Sequence, residues 1–185
     1  TIGLFLIWWL FRRWLAVILG GISIGIVVNS TVALYVLTGQ PFTLITSIIP
    51  PLLSALTIAA LVHLFNALQY ASQRGLSGQA RIQHALGEIR RPALFTALTT
   101  AAGMLSLATS PIPAIRTFGL VSAAGVILIY VVVIVVLPPV IAVWDSAPWP
   151  KTGAGLRWMD IIVRYLYRTG MRYPVWVIGL TIIVL

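Results

Sequence analysis

The sequence predicts an all-α, polytopic transmembrane helix bundle, and three observations predict it. Of 185 residues, 60% are hydrophobic and 8% charged, far from soluble averages. Long apolar runs alternate with short basic clusters. Those clusters fall almost entirely on one side of the alternation. The formal charge of +9 could suit nucleic acid, but twelve basic residues scattered between apolar runs form no basic face, so no nucleic-acid partner is expected. Zero cysteines exclude disulfides and thiolate metal sites.

The first apolar run, residues 1–11, is too short to span and precedes Arg12-Arg13, the reverse of a signal peptide. The first complete span reads from Trp14 to Leu37 and stops at the turn Thr38-Gly39-Gln40-Pro41. The second span, Leu44 to Tyr70, contains Pro50-Pro51, which predicts a kink or loosening in that half of the helix. Residues 78–91 read as an amphipathic helix at the inner leaflet, with Ile82, Ala85, Leu86 and Ile89 opposite Arg81, His84, Glu88 and Arg91.

The third span, Pro92 to Thr109, starts on a proline, where the missing N–H is harmless. Ser110-Pro111-Ile112-Pro113 makes a rigid connection to the fourth, read from Thr117 to Trp144. Residues 145–173 read as a linker with a second amphipathic helix over 156–169. Pro174 to Leu185 reads as the start of a further span: 12 residues make roughly 18 Å of helix against a hydrocarbon core of about 30 Å. The sequence therefore predicts a bundle cut at both ends, with the remainder of the same protein as one partner.

Orientation follows from counting bases in alternate loops. Arg12 and Arg13, then Arg74, Arg81, Arg90 and Arg91, then Lys151, Arg157, Arg164, Arg168 and Arg172 fall on one side, leaving Arg116 on the other. The basic loops are expected in the cytoplasm of a multi-pass membrane protein.

Polar groups inside spans are rare and each needs a reason. Gly21, Gly25, Asn29 and Ala33 recur every four residues, a surface for close helix packing. The second span carries Ser54, Thr57, His63 and Asn66; His63 is the ionisable side chain lying well inside a span and is the candidate proton relay. A neutral histidine bonded to a neighbouring helix is the alternative. In the third span Thr96, Thr99, Thr100, Gly103 and Ser106 fall at spacings of three and four, a narrow hydroxylated face expected to point into the bundle as helix packing or as the wall of a transport path. Gly119, Ser122, Ala123 and Gly125 give the fourth span a small surface, and Val126 to Leu137 suits lipid. No paired carboxylates, Ser-His-Asp set, metal cluster or phosphate loop is present, so neither catalysis nor a cofactor is expected.

The order of these features resembles a known family. A span ending His63-Leu64-Phe65-Asn66, then Arg74-Gly75, then Arg91-Pro92-Ala93-Leu94-Phe95-Thr96-Ala97-Leu98-Thr99-Thr100-Ala101-Ala102-Gly103-Met104-Leu105-Ser106-Leu107, and later Ile115-Arg116-Thr117-Phe118-Gly119 and Leu137-Pro138-Pro139 are similar to the RND superfamily. The branch is the MMPL-type and predicted lipid-exporter group, related to sterol-sensing domains of Patched-like proteins. The resemblance covers nearly all of Trp14 to Trp144 and implies spans two to six of the first of two similar halves. It implies a transporter that uses the proton-motive force to export lipids or other hydrophobic compounds, with membrane lipids as partners and homo-oligomers known among relatives. Many relatives carry a relay aspartate a turn before the His63 position, where this chain has Ala59-Ala60. A sterol- or hopanoid-sensing bundle and a translocase accessory of SecD/SecF type are the competing expectations.

Overall fold

The computed structural model describes residues 2–41, 43–144, 149, 164–165 and 168. The chain divides into two units, Thr1–Pro150 and Lys151–Leu185. In the second unit Arg164, Tyr165 and Arg168 are helical and exposed. The rest of the expected linker helix at 156–169 and the segment 174–185 lie outside the described residues.

The first unit is all helix among its described residues. In chain order it comprises α1 (Ile2–Phe11), α2 (Trp14–Leu37), α3 (Ile49–Gln73), α4 (Gly78–Ser106), α5 (Pro113–Tyr130), a π-helical segment (Val131–Val136) and α6 (Leu137–Trp144). Four helical stretches, Trp14–Leu37, Thr46–Gln73, Gly78–Thr109 and Pro113–Trp144, are long and apolar enough to cross a membrane. Their outward surface is apolar as well: Trp14, Ile18 and Ile22 on α2, Phe95 and Leu98 on α4, and Leu120 and Ile127 on α5 are exposed. Such a surface suits lipid and not water.

The turns explain themselves locally. α3 ends at Arg74 and reverses through Gly75, whose φ of +80° is open to glycine at no steric cost. The Gly75 N–H donates to the Ser72 carbonyl and the Leu76 N–H to the Ala71 carbonyl, at 3.0 and 3.2 Å. These are the two bonds of a Schellman close. α5 begins on Pro113, where a missing N–H is harmless.

The prolines depart from expectation twice. Pro50 and Pro51 stand in the first turn of α3, not within it. A 3₁₀ turn over Thr46–Ile48 leads in, and the Ile49 N–H donates to the Thr46 carbonyl, the group that Pro50 would otherwise orphan. No kink follows. Pro92, expected to open a helix, lies inside α4, which runs unbroken from Gly78 to Ser106. The amphipathic segment over 78–91 is thus the first half of a spanning helix. Its apolar side packs on protein: Ile82 and Ala85 are buried, and Arg81, expected on the polar side, is fully buried too.

Pro138 and Pro139 behave differently. In a regular helix their rings would clash with the carbonyls four residues back, at Ile134 and Val135. The wider π turn ends at Val136, just ahead of them.

The core joins α1, α2, α3 and α5, with Phe11, Leu19, Val27, Leu53, Phe65 and Val121 all buried. Close approach rests on glycine at the α5 contacts. A Cβ on Gly125 would lie 2.7 Å from Leu53 Cδ1 and 3.1 Å from Thr31 Oγ1, so a side chain there would have to push the buried Leu53 side chain aside. Gly119, Ser122 and Ala123 are likewise buried, so the small surface read on this span is an interface. Val126 to Leu137, expected to face lipid, is split: Val126, Ile129, Val132, Val133 and Ile134 are buried, while Ile127, Val131, Val135 and Val136 are exposed.

At the end of the bundle where α1 meets α2 and α3 meets α4, Trp149 is seated in an aromatic cluster. Its ring lies 5.9 Å from Phe11 and 5.4 Å from Phe65, centroid to centroid, and Arg13 lies over it at 5.1 Å. The Trp149 N–H donates to Ser72 Oγ at 3.0 Å. Ser72→Ala is expected to lower stability by about 1 kcal/mol, the usual loss for one such bond, measurable as a lower midpoint of thermal unfolding in detergent.

Candidate functional site

A cavity of about 340 Å³ lies between α3, α4 and the α5–π segment. Helical spacing builds each wall. Leu56, Ala59, Ala60 and His63 line it from α3, at steps of three and four. Ile89, Pro92, Ala93, Thr96, Ala97 and Thr100 line it from α4, together with Glu88. Val126, Ile129 and Tyr130 of α5 close it with Val133 and Ile134 of the π segment. The walls are almost wholly hydrocarbon. The alanines create the space: larger side chains at Ala59, Ala60, Ala93 and Ala97 would fill it.

Of the candidate relay and pathway residues read from sequence, His63, Thr96 and Thr100 line this cavity, and Ser54, Asn66, Thr99, Gly103 and Ser106 do not. Asn66, one turn beyond His63, is exposed. Ser54 is half-buried and donates to the Pro50 carbonyl at 2.7 Å. The hydroxylated face of α4 does not point into the bundle as expected: Thr99, Gly103 and Ser106 are exposed, and the inward positions are Ala97 and Ala101. The reason is local. Thr99 Oγ1 donates to the Phe95 carbonyl at 2.9 Å and Ser106 Oγ to the Gly103 carbonyl at 2.7 Å, so neither hydroxyl needs another helix. Among the described residues the Gly21, Gly25, Asn29, Ala33 stripe has only an edge contact, Gly21 with Leu4; a Cβ on Gly25 would meet nothing within 4 Å.

Glu88 is the residue that sequence reading misplaced. Read as part of an interfacial helix ending before Pro92, it instead lines the cavity one turn before that proline. The signal available was the i, i+4 spacing of Glu88 and Pro92, decisive only once α4 is known to continue through the proline. Glu88 Oε1 lies 3.8 Å from Nδ1 of His84, beyond hydrogen-bond reach. His84 Nε2 is 3.2 Å from Arg74 Nη1, and Arg74 Nη2 donates to the Tyr70 hydroxyl at 2.6 Å while its guanidinium lies over the Tyr70 ring. An arginine has only donors, so Nε2 of His84 is the acceptor in that contact and Nδ1 carries the hydrogen facing Glu88.

Among the described residues no group of histidines, cysteines and carboxylates could hold a metal ion. The cavity can take an apolar body, with polar side chains at His63, Glu88, Thr96, Thr100 and Tyr130 in its lining. A family model described as the sterol-sensing domain of SREBP cleavage-activation matches residues 10–145. No curated protein and no solved structure matches the chain.

Proposed function

Because the chain belongs to the sterol-sensing domain family, a family of sterol and lipid sensing or transport in membranes, we propose that it holds a sterol-like or other hydrophobic lipid in the cavity between α3, α4 and α5. The reading extends to an RND-type, MMPL-like exporter with no catalytic role, driven by the proton-motive force across a bacterial inner membrane with its basic loops in the cytoplasm. The observation that carries the lipid site is the alanine-lined cavity in the wall of a membrane-spanning bundle. Volume and hydrocarbon lining are what a lipid site needs. A photoreactive sterol analogue in reconstituted protein is expected to label peptides containing residues 56–63 and 88–100; labelling confined to other helices would overturn the reading.

Proton coupling is carried in this proposal by His63, whose imidazole stands in the cavity wall. In proteoliposomes with an imposed pH gradient, His63→Ala is expected to reduce gradient-driven lipid export severalfold while leaving sterol labelling in place. Unchanged export in that variant would remove His63 from the mechanism.

A sensor that binds lipid without pumping is the second reading, and one observation favours it. Ala59-Ala60 occupies the cavity wall where related exporters place a carboxylate. Lipid labelling without any export under a pH gradient would select the sensor.

A further inference from the structure

The proline pair beyond the π turn leaves two carbonyls without donors. In an α-helix the carbonyl of residue i accepts from the N–H of i+4, and in a π turn from that of i+5. Ile134 meets Pro138 at the first position and Pro139 at the second, and proline has no N–H. Val133 meets Leu137, whose N–H goes to the Val132 carbonyl instead, and then Pro138. Among the described residues no turn or cap N–H and no side chain donates to either oxygen.

The surroundings make those two oxygens matter. Both residues lie well inside the Pro113–Trp144 stretch, which is long enough to cross a membrane. Both are buried, Val133 at 0% and Ile134 at 9% exposure. Hydrocarbon offers a carbonyl no donor, and an unpaired one is costly there. Val133 and Ile134 also line the cavity between α3, α4 and α5, whose volume of about 340 Å³ is far more than a water molecule needs.

We propose that the π turn is a water-binding site: ordered water in the cavity donates to the carbonyls of Val133 and Ile134 and completes the bonding that the prolines interrupt. A held water needs two to four polar partners, and Tyr130, His63, Thr96 and Thr100 stand in the same lining. The α5 wall, apolar in its side chains except at Tyr130, thereby gains a polar seam from its backbone. A body that fills the cavity either supplies donors to these oxygens or leaves the water in place. A cation is the poorer occupant: Glu88, the carboxylate in the lining, is 46% exposed, and two carbonyls do not replace an ion's hydration shell.

The test is radiolytic footprinting of the protein reconstituted in lipid discs. A brief X-ray pulse makes hydroxyl radicals from bulk and from held water alike, so a buried side chain is oxidised only where water sits against it. Val27 and Ile7, both 0% exposed in the core, are the dry references of matching residue type. Val133 and Ile134 are expected to be oxidised severalfold faster than these. In Pro138→Ala/Pro139→Ala both carbonyls regain donors in either register, from Leu137 and position 138 as α-helix, or from positions 138 and 139 as π turn. Oxidation at both residues should then fall towards the references. Alanine is the better helix former, so the double variant is expected to fold, as its thermal midpoint will show. A map that resolves ordered water should carry density about 2.8 Å from each carbonyl oxygen in wild type and lose it in the double variant.

Val133 oxidised no faster than Val27 would overturn the water site. So would a folded double variant that is oxidised like wild type. Footprints and density that vanish when sodium is replaced by choline would overturn it as well, by putting a cation there. The site stands apart from the lipid reading: absence of sterol labelling on α3 and α4 would remove the lipid and leave the water.

Discussion

Gly119→Leu is expected to abolish the native bundle, and Gly119→Ala to destabilise it measurably. A Cβ on Gly119 would lie 2.6 Å from the Met104 carbonyl oxygen and 2.7 Å from Leu107 Cβ, with the Ala108 nitrogen at 3.3 Å. Two of these three atoms are backbone, so no rotamer change can relieve the overlap; α5 must move off the end of α4. Overpacking of this kind costs about 1–3 kcal/mol for a small insertion. A leucine asks for several further carbons where even the first does not fit. Gly25 supplies the control, since a Cβ there meets nothing within 4 Å, and Gly25→Ala should be neutral or gain up to about 1 kcal/mol from helix propensity. The measurement is the fraction of monodisperse protein in detergent after heating. A Gly119→Ala protein as heat-resistant as the Gly25→Ala protein would contradict the α4–α5 contact.

That contrast between two glycines shows what the sequence could and could not reveal. Both lie in helices and both look like packing positions, but only the fold tells which one faces protein. In water the polar side of a helix marks the outside; in a membrane span both sides are apolar and the contrast disappears. The class of fold was legible because it depends on the alternation of apolar runs with basic turns, which is coarse and unambiguous. Facing was not. The hydroxyls of α4 were expected inward because they are poorly placed in lipid, yet those of Thr99 and Ser106 bond to their own helix and lose little by facing out.

The proline positions failed for a related reason. Pro92 fits a helix start and a helix interior equally well from sequence, and the choice moved Glu88 from a surface helix to a cavity wall. His63 was found because a histidine in an apolar run is conspicuous by itself. Glu88, close to Arg90 and Arg91, is camouflaged by the charges around it.

Ala97→Phe is expected to eliminate lipid labelling while the bundle stays folded. Ala97 is 8% exposed and stands in the α4 wall between Ala93 and Thr100, facing the cavity. A phenyl ring there enters open space of about 340 Å³, not packed atoms, so the overpacking cost seen at Gly119 does not arise. It does take the space a lipid body needs, and labelling should fall by tenfold or more. Leu98→Phe, one residue on and exposed, changes a side chain of similar chemistry on the outward face and should leave labelling intact. The thermal midpoint separates the outcomes. A fall like that of Gly119→Ala would mean that the space is not there; an unchanged midpoint with full labelling would mean that the lipid binds elsewhere. Loss of labelling at an unchanged midpoint is the result that ties the cavity between α3, α4 and α5 to its occupant.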